Sequence, residues 1–179
     1  MLKRIVLFTL LPLALAGVAF AQMDHDAARP SPSAHAQCRF ADGKNISVDY
    51  SSPRMKSRKI FGGLVPYGEV WRTGANEATS FTTTAALTVG GKDVPAGDYT
   101  IFTVPTATKW TLIVNKKTGE WGIPYKYESD ELARADMKVS KTAAPVESFT
   151  IAFDQKANAC VMNLSWENTQ ASVEFAEKK

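Results

Sequence analysis

The residues best suited by type and spacing to do chemistry lie between Ser52 and Glu77. Arg54, Lys56, Arg58 and Lys59 place four positive charges within six residues, and Tyr67, Trp71, Arg72, Asn76 and Glu77 follow. A guanidinium binds carboxylate or phosphate as a planar fork, and Trp and Tyr faces stack on sugars or flat ligands. Arg54, Lys56, Arg58, Tyr67, Trp71, Arg72, Asn76 and Glu77 are therefore candidates to line a site for an anionic or glycan-like ligand. Asn115 and Trp121, in the run Asn115-Lys116-Lys117-Thr118-Gly119-Glu120-Trp121-Gly122, add a second polar and aromatic pair.

Catalysis is more narrowly constrained. Glu69 and Glu77 could act as the acid and base of a glycan hydrolase, which needs two carboxyl groups about 5–9.5 Å apart across one cleft. The only two histidines, His25 and His35, fall in the first fifth of the 179-residue chain. A Ser-His-Asp triad, a Cys-His pair and a His-based zinc site are thus not expected in the rest. Neither Phe61-Gly62-Gly63-Leu64 nor Gly90-Gly91-Lys92-Asp93 has the spaced glycine and Lys-Ser/Thr ending of a phosphate loop. No cofactor or metal pattern is present. Three readings stay open: a ligand-binding or envelope-interaction module, a carboxylate-dependent glycan hydrolase, and a structural or assembly module. In the last, Trp71 is core, Arg72 and Asn76 satisfy the backbone of an irregular connection, and the basic run is a solvated surface.

The compartment follows from residues 1–21. Lys3 and Arg4 precede an apolar stretch from Ile5 to about Ala16, and Ala19-Phe20-Ala21 offers a small-x-small cleavage site. This is the layout of a cleaved secretory signal peptide, and no later segment is apolar enough to remain as a membrane span. Removing Lys3 and Arg4 from the 21 basic residues leaves the chain near neutral against 18 acidic ones, with no electrostatic case for nucleic acid. A periplasmic or secreted location is oxidising, so Cys38 and Cys160, the only cysteines, are expected to form a disulfide. The partner classes left are a small anionic or glycan-like molecule and an envelope protein.

The elements that must position these residues read as short strands. Residues 22–37, rich in Ala, Pro and Ser, read as a flexible leader. Ile46, Val48 and Tyr50 alternate with polar neighbours. One longer strand is expected to carry Phe81, Thr83, Ala85, Leu87 and Val89, ending at the Gly90-Gly91 turn. Further apolar faces are Ile101, Phe102 and Val104; Trp110, Leu112 and Val114; Phe149, Ile151 and Phe153; Met162, Leu164 and Trp166; and Ala171, Val173 and Phe175. In 130–141 the alternation of Ala133, Ala135, Met137 and Val139 favours a strand after one helical turn, and Thr142 to Pro145 reads as a turn. The expected architecture is all-β: a single antiparallel β-sandwich, or flattened barrel, over 38–177.

Particular strings carry a resemblance. Ser52-Pro53-Arg54, Ile60-Phe61-Gly62, Val65-Pro66-Tyr67-Gly68 and the run from Val70-Trp71-Arg72-Thr73-Gly74 through Ala75-Asn76-Glu77-Ala78-Thr79 resemble the bacterial family called domain of unknown function 2911. Pro95-Ala96-Gly97-Asp98-Tyr99, Asn115-Lys116, Trp121-Gly122 and Leu164-Ser165-Trp166-Glu167 extend the similarity over about residues 45–175. The resemblance implies an exported bacterial protein with a β-rich domain. It implies no activity, cofactor or catalytic residue, and the disulfide is no part of it.

Overall fold

The structure, a computed structural model, describes residues 29–179. The expected signal peptide over 1–21, and the leader up to residue 28, lie outside the described residues. Nine strands form one antiparallel sheet that does not close. They are β1 (Ser33–Arg39), β2 (Asn45–Ser51), β3 (Ala75–Thr83), β4 (Leu87–Val89), β5 (Lys92–Val94), β6 (Gly97–Pro105), β7 (Trp110–Asn115), β8 (Glu131–Lys156) and β9 (Ala159–Glu177). Their order across the sheet is β1-β2-β3-β6-β7-β8-β9-β4-β5. Apart from a 3-10 turn at Glu128–Asp130, the described residues hold no helix.

The sheet becomes a two-layer sandwich because β8 changes partner along its length. Residues from Glu131 to Met137 pair with β7, and from Lys138 to Lys156 the strand pairs with β9. The β1-β2-β3 edge therefore comes to face the β8-β9 hairpin. Phe81 of β3 packs on Phe175 of β9 with ring centroids 5.0 Å apart, and Tyr50 of β2 meets Phe149 of β8 edge-on at 5.7 Å. The Ile151 amide donates to the Tyr50 hydroxyl at 3.0 Å, and the Cys38–Cys160 disulfide joins β1 to β9. Alternating burial along β2, β3 and β9 turns their apolar residues into this shared core.

Three local expectations differ from the structure. The leader composition conceals β1: Ser33 to Gln37 pair with Ser51 to Ser47, and His35 meets Asp49 at 2.8 Å. A strand of small residues suffices there because only one side is packed, with Ala34 and Ala36 against the core. The long strand expected through Phe81 and Val89 is two strands. The Thr83 hydroxyl bonds both the amide and the carbonyl of Ala85, and the chain then crosses from the β3 layer to pair β4 with β9. Thr142 to Pro145 is not a turn either. It is an irregular, register-shifted part of β8, whose pairing with β9 skips from Lys141 to Val146.

Two connections complete the sandwich and position the candidate site. The first, 52–74, is a strap between β2 and β3. The Met55 amide donates to the Glu147 carbonyl at 2.7 Å, and Trp71 exchanges both backbone bonds with Thr103, at 2.7 and 2.9 Å. Ile60, Phe61, Val65 and Trp71 drop from the strap into the core, where Phe61 and Trp71 pack against Trp110, Phe149 and Trp166. The second, 116–130, covers the outer face of β6. Phe102, pointing away from the main core, is fully buried there against Tyr125 and Tyr127.

Candidate functional site

The strap, the start of β3 and the 116–130 connection meet at a cleft of about 340 Å³. The buried indoles of Trp71 and Trp166 close it from the core side, and Leu64, Pro66, Val70 and Ile123 supply apolar wall. Its charged lining is Arg58, Glu69 and Arg72.

Arg72 is held in place by the run around it. After Trp71, Thr73 and Asn76 take left-handed backbone conformations, with φ of 57° and 56°. Side chains meet the hydrogen-bonding needs of this knot. The Thr79 hydroxyl donates to the Thr73 carbonyl at 2.8 Å, the Trp71 indole N–H to the Gly74 carbonyl at 3.0 Å, and the Asn76 amide to the Ser51 hydroxyl at 3.1 Å and the Ser31 carbonyl at 3.2 Å. Arg72 donates from Nη1 to the Asn76 carbonyl and, at 3.2 Å, to the Trp121 carbonyl. Its guanidinium carbon also lies 5.1 Å from the centre of the Trp121 ring. Partial burial pulls the Arg72 guanidinium below its ordinary range, and the Glu77 charge opposes that pull.

The Trp121 side of the site depends on the segment before it. Asn115 is fully buried, donating to the Tyr125 hydroxyl at 3.1 Å and the Tyr127 carbonyl at 2.8 Å while accepting from the Lys117 amide at 2.9 Å. Tyr125 in turn donates to Glu131 at 2.7 Å; burial first, and then this bond, push its phenol up. Glu131 receives a fork from Arg134, Nε at 2.6 Å and Nη2 at 2.7 Å, and that bond holds its carboxyl below the ordinary range. Gly122 seats the loop, with φ of 89° and the place of its missing Cβ only 2.8 Å from the Ala78 methyl.

The structure sorts the residues singled out in the sequence. Arg58, Glu69, Trp71, Arg72 and Asn76 line the cleft, and Trp121 stands beside Arg72. Trp71 is core as much as wall, at 7% exposure. Tyr67 lies on the strap outside the cleft lining, its ring over Gly62. Arg54 instead donates to the Ser148 hydroxyl at 2.6 Å, and the Lys56 amide to the Glu147 carboxylate at 2.9 Å. Arg58 donates to the carbonyls of Met55 and Arg54, so much of the basic run stitches the strap to itself and to β8. Asn115 does not reach the cleft. Glu77 lines a different hollow beside Asp49 and Tyr50 and pairs with Arg29 at 3.0 Å, whereas Glu69 opens on the main cleft. Among the described residues no group of three or more His, Cys, Asp or Glu could hold a metal ion.

Leu64, Val70 and Ile123 were not singled out by sequence reasoning. The available signal was apolar residues lodged in turn-rich runs, Gly62-Gly63-Leu64 and Gly122-Ile123-Pro124, where burial is not expected. The family model described as Protein of unknown function (DUF2911) matches residues 31–175. The chain belongs to that family. The match begins at Ser31, whose carbonyl receives Asn76 at the cleft, so it spans every described wall of this site in the DUF2911 chain. No match was found among curated proteins or among solved structures.

Proposed function

We propose that this DUF2911 protein is an exported, non-catalytic binding module whose ligand enters the cleft at Arg72. One observation carries the reading. The exposed large apolar residues among those described are Leu64, Tyr67, Trp121 and Ile123, and all four belong to the two segments that wall this cleft. Scattered exposed apolar side chains are ordinary on a soluble protein, but a cluster around a concave polar centre marks a contact surface. Export is supported by the signal-peptide pattern of residues 1–21 and by the disulfide. The mature protein, on this reading, is one periplasmic or secreted domain beginning close to Ser31.

The glycan-hydrolase reading draws little support, because Glu69 and Glu77 line separate hollows and Glu77 is paired with Arg29. A structural or assembly role has a specific observation in its favour: the side chains of Arg72, Asn76 and Thr79 all hold local backbone. That role explains the knot but not the exposed apolar walls. A metabolite and glycan screen read by thermal shift separates the two. A binding module gives at least one ligand whose stabilisation is lost in a Leu64→Ser, Ile123→Ser double variant of unchanged ligand-free Tm. Ligands that stabilise both proteins equally, or none that stabilise either, would return the protein to the structural class.

A further inference from the structure

We propose that the ligand is an apolar monocarboxylate, held by its carboxylate on the Nε–Nη2 edge of Arg72 with its hydrocarbon body against Leu64, Val70 and Ile123. This rests on reading the cleft as a binding site and adds the chemistry of its occupant.

The first ground is the division of labour within one guanidinium. Nη1 of Arg72 is committed to the carbonyls of Asn76 and Trp121, and the guanidinium carbon sits over the Trp121 ring at 5.1 Å. These contacts fix the group without neutralising it. Nε and Nη2 make no hydrogen bond to any described residue. Those two N–H groups form the side of a guanidinium that receives a carboxylate as a parallel pair. The chain displays the same fork where Arg134 grips Glu131 through Nε and Nη2, at 2.6 and 2.7 Å. Arg72 therefore presents a prearranged half of that pair, partly desolvated, in the wall of a cleft.

Charge and wall composition supply the rest. Two guanidiniums, Arg58 and Arg72, face one carboxylate, Glu69, so the lining favours a single negative charge. Apart from these the walls are mostly aliphatic, and the two aromatic residues that line it, Trp71 and Trp166, are buried in the core. A glycan would bring hydroxyls to walls with few partners for them, and each unpaired hydroxyl costs binding. A flat or branched hydrocarbon acid of roughly ten to twenty non-hydrogen atoms suits a cleft of this volume.

Isothermal titration with naphthoate, its neutral amide and chitotriose tests the assignment on the purified protein. Naphthoate should bind about tenfold or more tighter than the amide, the range expected for a charged fork, and chitotriose should not bind. Leu64→Glu places a like charge on an exposed rim position. It removes apolar contact from both ligands and adds repulsion for the acid alone, so it should weaken naphthoate several-fold more than the amide, with the ligand-free Tm preserved. Arg72→Lys keeps the charge but not the fork and should also weaken naphthoate. Equal affinity for acid and amide, or binding of chitotriose in preference to both, overturns the carboxylate assignment while the cleft remains a binding site. Absence of binding by all three, and by the wider screen, removes both readings.

Discussion

Arg72 and Trp121, 49 residues apart in sequence, hold each other twice: the guanidinium lies 5.1 Å from the indole centre, and Nη1 donates to the Trp121 carbonyl. The pair joins the strap to the 116–130 connection beside the cleft. Trp121 is 55% exposed, so removing its ring leaves the core intact. Trp121→Ala should cost about 0.5–1 kcal/mol, the worth of an exposed cation–π contact, and lower Tm by roughly 1–4 °C. Thermal unfolding by circular dichroism checks the value. A loss several times larger would mean that the ring supports more than Arg72.

Gly122 makes that arrangement possible. A Cβ there would stand 2.8 Å from the Ala78 methyl and 3.2 Å from the Arg72 Cβ, on backbone with φ of 89°. Gly122→Ala should therefore destabilise by about 1–3 kcal/mol and displace Trp121 from Arg72. Denaturant melts measure the first effect, and the second is visible as altered tryptophan emission. Wild-type stability in this variant would contradict the packing.

The polar girder behind the loop titrates. Glu131 has its carboxyl held below the ordinary value of 4.5, first by Arg134 and also by Tyr125. A lowered folded value contributes stability that is complete above the unfolded value and lost as pH falls through the folded one. Glu131→Gln should thus be less stable than wild type near neutrality, with the difference shrinking below about pH 4.5. A gap that stays constant into acid would show that charge is not what Glu131 contributes. Asn115→Ala in the same network should cost about 1–3 kcal/mol at every pH, because the Tyr127 carbonyl and the Tyr125 hydroxyl lose a buried donor.

The disulfide joins β1 to β9 within the core. Cys38 and Cys160 are 122 residues apart in sequence, so the bond restricts the unfolded chain over most of the described length. Its reduction, or a Cys38→Ser, Cys160→Ser double variant, should cost about 2–5 kcal/mol. Guanidinium melts with and without reductant give the number. An unchanged midpoint would show that the core between β1 and β9 carries the join alone.

Much of the fold was legible because half-buried strands write a period of two. Phe149, Ile151 and Phe153 on β8, and Met162, Leu164 and Trp166 on β9, could be assigned to faces without any coordinates. The same alternation could not tell where a strand changes layer. Leu87 and Val89 continue the pattern of Phe81, yet the Thr83–Ala85 bonds turn the chain into the other layer. Nor could composition tell a leader from an edge strand, since Ala34 and Ala36 need little area to pack on one side.

The candidate site divides in the same way. Residue type alone marked Arg72, Asn76, Trp71 and Trp121 as able to bind, and the cysteine count allowed only one intramolecular pairing. Which of the basic residues serve the backbone and which face a cleft was a tertiary matter. Arg54 and Arg72 have identical chemistry, but one meets Ser148 on β8 and the other lines the cleft. Leu64 and Ile123 join that wall only because the strap and the 116–130 connection converge there. Local sequence sets the conformations and donors available to each segment. Convergence of segments distant in the chain follows from the packing of both layers around Phe61, Trp71 and Trp166, and only the folded structure contains it.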